Sequence, residues 1–160
     1  QTDRPALVLL TRQGLPVLDH KQYPSAEEFR KGGYIMSDCI GEPDVVIITT
    51  GSEVWVALDV KEILKGINIR VVNLGCWEIF DQQSNIYRQT VLGNQSALRV
   101  SLEAGITSGW EHYTGLDGLN IGINTFGESA PGNVVADHFG ITSDNVANRI
   151  RNRLKSISFE

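Results

Sequence analysis

The sequence predicts an α/β domain, a sheet with parallel strands covered by helices. Three observations carry this. The run Val45-Val46-Ile47-Ile48 is apolar at every residue, so it reads as a strand buried on both faces, as in a helix-covered sheet. The run breaks at Gly51, and a helical pattern follows from Glu53 to Lys65. A second apolar run, Ile69 to Leu74, comes next, and strand-helix-strand order predicts a right-handed parallel crossover.

Taken in order, Ala6 to Leu10 is apolar throughout and reads as a buried strand ending at Thr11-Arg12-Gln13-Gly14. Gln13 to Pro24, with a glycine and two prolines, reads as a linker. Ser25 to Lys31 is a short polar helical turn, and Gly32 to Met36 a short strand. In the helix from Glu53 to Lys65, Asp59, Glu62 and Lys65 form one narrow polar stripe. The remainder is a wide apolar arc suited to packing on a sheet, and Gly66 is the expected stop. Asp81 to Leu92 reads as a second helix. Ala97 to Leu102 alternates and reads as a half-exposed or edge strand; Leu119, Ile121 and Ile123 alternate in the same way. Pro131 is expected at a first helical position, with Val134, Val135 and Phe139 facing inward and Gly140 as stop. The last helix is capped by Thr142 or Ser143, with Val146, Ile150 and Leu154 inward and cations in its last turn.

With 160 residues, the chain is long enough for one domain with a core. A net charge of -5 argues against a nucleic-acid or anionic-membrane partner. No apolar run approaches the roughly 20 residues that cross a bilayer. Cys39 and Cys76 lack C-x-x-C spacing and read as two unpaired thiols in a reducing compartment. The start at Gln1 without methionine reads as a processed terminus or a fragment of a larger polypeptide.

Ligands of parallel sheets gather at the carboxyl ends of strands, so the Gly51 corner is the first place to look for a site. Thr49 to Glu53 has free N–H groups and a positive dipole end, but no second glycine and no lysine. Its simpler reading is a helix capped by Ser52. Arg12 directly follows an apolar run, where a fixed guanidinium can meet a phosphate or carboxylate. Gly115-Leu116-Asp117-Gly118 reads as a turn before a strand. His20, His112 and His138 show no ligand spacing, no serine sits in a nucleophile elbow, and Trp55, Trp77 and Trp110 read as packing residues. The residues alone point to no catalytic constellation.

Several phrases in order resemble the C-terminal region of transketolase. They are Thr11-Arg12-Gln13 with Leu15-Pro16, Gly32-Gly33-Tyr34-Ile35, Thr50-Gly51-Ser52-Glu53-Val54 and Arg70-Val71-Val72. Phe80-Asp81-x-Gln83, Glu103-Ala104-Gly105, Phe126-Gly127-Glu128-Ser129-Ala130-Pro131, Phe139-Gly140 and Asn145-Val146 continue the series. The resemblance runs from about Pro5 to about Leu154.

That resemblance implies a three-layer α/β fold, a mixed, mostly parallel sheet with helices on both faces. It implies that residues 1–13 hold the last strand of a preceding pyrimidine-binding domain, 14–31 a linker, and 32–160 the C-terminal domain. Enzymes of this family transfer a two-carbon ketol unit from a ketose phosphate to an aldose phosphate. They use thiamine diphosphate and a divalent metal, Mg or Ca, and work as homodimers. The cofactor is held by the two preceding domains, so none is expected in this chain, which is expected to be inactive alone. Arg12 matches the family arginine that binds the sugar phosphate, with Thr11 in place of the usual serine and Gln13 as a supporting residue. A cytoplasmic location, or a plastid in a plant, is expected. Two other readings stand beside this one: a stand-alone regulatory or nucleotide-binding module using the Gly51 corner, and the equivalent domain of another thiamine enzyme. The latter would be dihydroxyacetone synthase, deoxyxylulose phosphate synthase or a 2-oxo acid dehydrogenase β subunit.

Overall fold

The Val45–Thr49 strand, β2, lies at the centre of a five-stranded sheet, and its Val45, Val46, Ile47 and Ile48 are each 0 % exposed. The computed structural model describes residues 5–11 and 13–157. The other strands are β1 (Gly33–Ser37), β3 (Ile69–Leu74), β4 (Leu98–Leu102) and β5 (Leu119–Ile121), in the order β1-β3-β2-β4-β5. β3, β2, β4 and β5 are parallel, and β1 pairs antiparallel with β3, so the sheet is mixed and mostly parallel.

Strand alternation sends side chains to two cores. Val45, Ile47, Ile69, Val71, Leu98 and Val100 meet helices α1 (Glu53–Ile63) and α6 (Ser143–Ile157). Val46, Ile48, Val72 and Leu74 meet α2 (Trp77–Asp81), α3 (Asn85–Leu92) and α4 (Glu111–Thr114). Burying each such side chain contributes about 1.5–3 kcal/mol, and that is why the all-apolar run settles in the middle strand. Trp77 and Trp110 stack edge-on with Tyr113 in the second core, and Trp55 packs against Tyr23, so all three tryptophans are packing residues. Among the described residues, no helix is long and apolar enough to cross a membrane.

Four expectations change. Ala6–Leu10 forms no strand with this sheet: Leu7 to Leu10 are 74–84 % exposed, with no regular structure from residue 5 to 11. A strand needs a ladder partner for its N–H and C=O groups, and neither edge of this sheet takes the segment. The helix expected over Asp81–Leu92 is two helices, because Ser84 caps α3 by accepting from Tyr87 N–H at 3.2 Å. β4 is an interior strand between β2 and β5: Ser101 is buried and donates to Asn120 Oδ1 at 2.7 Å, and Arg99 is half-buried. Pro131 stands one residue before the short helix α5 (Gly132–His138), which buries no side chain. The Ser25-capped 3-10 turn Ala26–Lys31 and the Gly115–Gly118 turn lie where the sequence puts them.

Candidate functional site

The carboxyl edge of the sheet is built by the ends of β2, β3 and β4. β2 stops at Thr49, and Gly51, at φ 59°, turns the chain into α1. Only glycine adopts that left-handed conformation without strain. Ser52 does not cap α1: it is already helical at φ -66°, and its hydroxyl donates to Glu53 Oε1 at 2.8 Å. Glu53 is 8 % exposed and sits in the first turn, so the positive end of the helix already faces a carboxylate. An anionic ligand at this corner would meet that charge, which counts against a nucleotide-binding Gly51 corner.

Glu103 follows β4 directly. Its carboxyl is pushed up to about 7, first by burial and then by the nearby charge of Glu53. Glu103 Oε2 is buried without a hydrogen-bond partner, as are Thr49 Oγ1 and Asn73 Oδ1 at the ends of β2 and β3. Asn73 Nδ2 donates to Tyr34 Oη at 3.2 Å. The edge is therefore rich in oxygen acceptors, and among the described residues its one hydroxyl on a carboxylate is Ser52 on Glu53, with no histidine or cysteine bonded to it.

The other candidates are dispersed. His112 lies 3.4 Å from Asp81, His138 packs on Phe139, and His20 is exposed. Cys76 Sγ lies 3.4 Å from Glu78, and Cys39 Sγ is 3.7 Å from the Gly41 carbonyl; both thiols are free. Burial raises the Cys39 pKa above that of an ordinary thiol. Arg12 lies outside the described residues; Gln13 beside it donates its N–H to Thr11 Oγ1 at 3.4 Å. Among the described residues no group of three or more His, Cys, Asp or Glu side chains is placed to hold a metal.

Sequence reading missed the burial of Glu103 and the tertiary roles of Arg70, Arg88 and Arg99. The one available signal was a charged residue placed directly after a strand or at its second position, where a helix-covered sheet leaves little room for solvent.

The family model described as "Transketolase-like TK C-terminal domain" matches residues 32–142. The chain belongs to the transketolase family through its C-terminal domain. Over 148 residues it is 50% identical to a transketolase of Aquifex aeolicus, covering 91% of this chain and 22% of the relative. A transketolase of Dictyostelium discoideum is 45% identical over 148 residues, covering 92% of this chain and 22% of that protein. Among solved structures, a Pichia stipitis transketolase in complex with sedoheptulose 7-phosphate superposes with a TM-score of 0.82 at 32% identity. That match covers 93% of this chain and 21% of the Pichia chain. The chain thus spans about a fifth of the length of the transketolases it matches. Within that fifth, the transketolase phrases at Thr50–Val54 and Glu103–Gly105 form the carboxyl edge described above.

Proposed function

We propose that the polypeptide carrying this domain is a transketolase that moves a two-carbon ketol unit from a ketose phosphate to an aldose phosphate. The observation that carries the reading is 50% identity to a transketolase across 91% of the chain. On this reading thiamine diphosphate and its divalent metal, Mg or Ca, are held by the remainder of a homodimeric enzyme. That cofactor supplies the carbanion chemistry. This chain contributes Arg12, on the reading that residues 1–13 belong to the preceding domain, 14–31 link and 32–160 form the C-terminal domain. A guanidinium binds a phosphate through paired charge-assisted hydrogen bonds. Holding the phosphate at the far end of the sugar places the carbonyl at the reacting carbon and spends remote binding energy on orientation. The isolated chain is inactive on this reading.

The test is kinetics on the full-length protein carrying Arg12→Ala, with phosphorylated and unphosphorylated acceptors of equal length. The expected loss is about 1.5–3 kcal/mol in transition-state binding, roughly ten- to hundred-fold in kcat/KM, for the phosphorylated acceptor alone. Equal losses for both acceptors, or none, would remove Arg12 from the substrate site. Turnover by purified chain free of full-length enzyme would overturn the assignment of the chemistry to the missing part.

A further inference from the structure

A groove of about 760 Å³ opens at the amino edge of the sheet, opposite the Gly51 corner, between α3, α4 and the starts of β3 and β4. Three arginines, Arg70, Arg88 and Arg99, line it together with His112, against one carboxylate, Glu42. In a chain of net charge -5, such a concentration of guanidinium groups is not the average surface.

Arg99 carries the argument. Its Nε, Nη1 and Nη2 donate to the carbonyls of Leu92, Tyr113 and Gly93 at 3.1–3.2 Å. Those carbonyls are in the last turns of α3 and α4 or directly after α3, so Arg99 satisfies both helix ends and cancels the negative potential they would send into the groove. A carboxylate partner for Arg99 is absent among the described residues, and burial lowers its pKa, the mark of a charge without a counter-charge. Five N–H donors sit on each guanidinium, and the three bonds of Arg99 leave two free.

Arg70 also keeps spare donors, but its charge is paired with Asp38. It spends three donors, on both oxygens of Asp38 at 2.7 and 3.2 Å and on the Thr90 carbonyl at 2.6 Å. Arg88 is held loosely, 3.8 Å from Asp81 Oδ1, with Nη2 on Asn85 Oδ1. Its Nε is buried without any partner. Asp81 is shared with Tyr113 and His112, which dilutes its claim on Arg88. The carboxylate of Glu42 is occupied by Asn94 Nδ2 at 3.1 Å. The amide side chains of Gln89 and Gln95 complete a polar wall suited to hydroxyl groups.

We infer that this groove is a binding site for a small metabolite bearing a phosphate group, held by Arg88 and by the spare donors of Arg99 and Arg70. The inference does not rest on the ketol-transfer reading, since every group it uses lies within this chain.

The test is calorimetric titration of the full-length protein with inorganic phosphate and, separately, with glycerol 3-phosphate, at constant ionic strength. Wild type is compared with Arg88→Gln, with Gln95→Glu, and with Arg149→Gln. Arg149 is an exposed charge on α6, across the sheet. Phosphate sites elsewhere in the polypeptide cancel in these differences. The expected result is a saturable binding component weakened about tenfold by Arg88→Gln and by Gln95→Glu, and unchanged by Arg149→Gln. Gln95 is exposed, so its substitution does not threaten folding and keeps the test decisive if Arg88→Gln is unstable. Tighter binding of the ester identifies a sugar- or polyol-phosphate ligand, and equal binding identifies free phosphate; both support the site. Identical isotherms for wild type, Arg88→Gln and Gln95→Glu, or an equal loss in Arg149→Gln, would overturn it.

Discussion

Replacing Glu103 with glutamine is expected to stabilise the domain at alkaline pH and leave it nearly unchanged in acid. The carboxyl is raised from its ordinary 4.5 to about 7 by burial and by Glu53. Below pH 4.5 both folded and unfolded chains carry the proton, and the group has no effect on stability. Between 4.5 and about 7 the folded chain binds more protons than the unfolded one, so stability falls as pH rises. Above about 7 both forms are ionised and the whole cost is present. At about 1.4 kcal/mol per pH unit the full cost is about 3.4 kcal/mol. Glu103 is only half-buried, and solvent screening reduces this to about 1–2 kcal/mol. Urea unfolding of the 160-residue chain at pH 5 and pH 8.5 measures it. Glu103→Gln should gain about 1–2 kcal/mol at pH 8.5, about 2–8 °C in Tm, and only about a quarter of that at pH 5. Glu53→Gln should recover part of the same gain, because it removes the second cause. Equal or lower stability of Glu103→Gln at pH 8.5 would refute the reasoning, since it would mean the carboxylate has a partner that stabilises its charge.

Two further outcomes follow from the packing. Arg99→Met keeps the apolar stem but strips donors from the carbonyls of Leu92, Gly93 and Tyr113, and urea unfolding should show a loss of about 2–4 kcal/mol. Gly32→Ala should unfold the chain or lower Tm by more than 10 °C in a thermal melt, roughly the effect of several kcal/mol. A Cβ there would lie 2.4 Å from both the Cys76 carbonyl oxygen and the Phe80 nitrogen, at φ 79°, with backbone on both sides and nothing able to yield.

How much was legible varies with the kind of force involved. β2, α1 and β3 were readable because periodicity and burial agree there: each apolar residue falls where the sheet or helix needs one. Ser25 and the 3-10 turn were equally local. Ala6–Leu10 was not, because an all-apolar run states that it avoids water without stating which strand it pairs with; among the described residues it has none. β4 misled for the opposite reason. Arg99 and Ser101 look like solvent-facing positions, yet each is covered because a carbonyl or an amide 19 residues or fewer away satisfies it. The break between α2 and α3 was in the sequence, as a serine three residues before Tyr87, but the apolar residues on both sides hid it. At the candidate site, Gly51 was legible as a turn, while the burial of Glu103 and its nearness to Glu53, 50 residues away, are tertiary facts no local pattern encodes.

The distribution of unsatisfied groups ties these points together. Among the described residues four buried side-chain atoms lack a partner, and three of them are oxygens at the carboxyl ends of β2, β3 and β4. Each such atom costs about 1–3 kcal/mol, and a fold tolerates three in one place only where burial elsewhere is generous. The central strand supplies it, with four fully buried apolar residues contributing about 1.5–3 kcal/mol each. The fourth atom is a donor, Arg88 Nε, at the opposite edge. Satisfying the amino edge costs the domain little, because the arginines there also close helix ends. The carboxyl edge has acceptors and two carboxylates and no cation, so its polarity stays uncompensated within the described residues. A protein held together by its middle strand can carry both imbalances at once. This is why stability measurements on Glu103 and binding measurements on Arg88 should give independent answers: the groups lie on opposite edges of a sheet whose core does not depend on either.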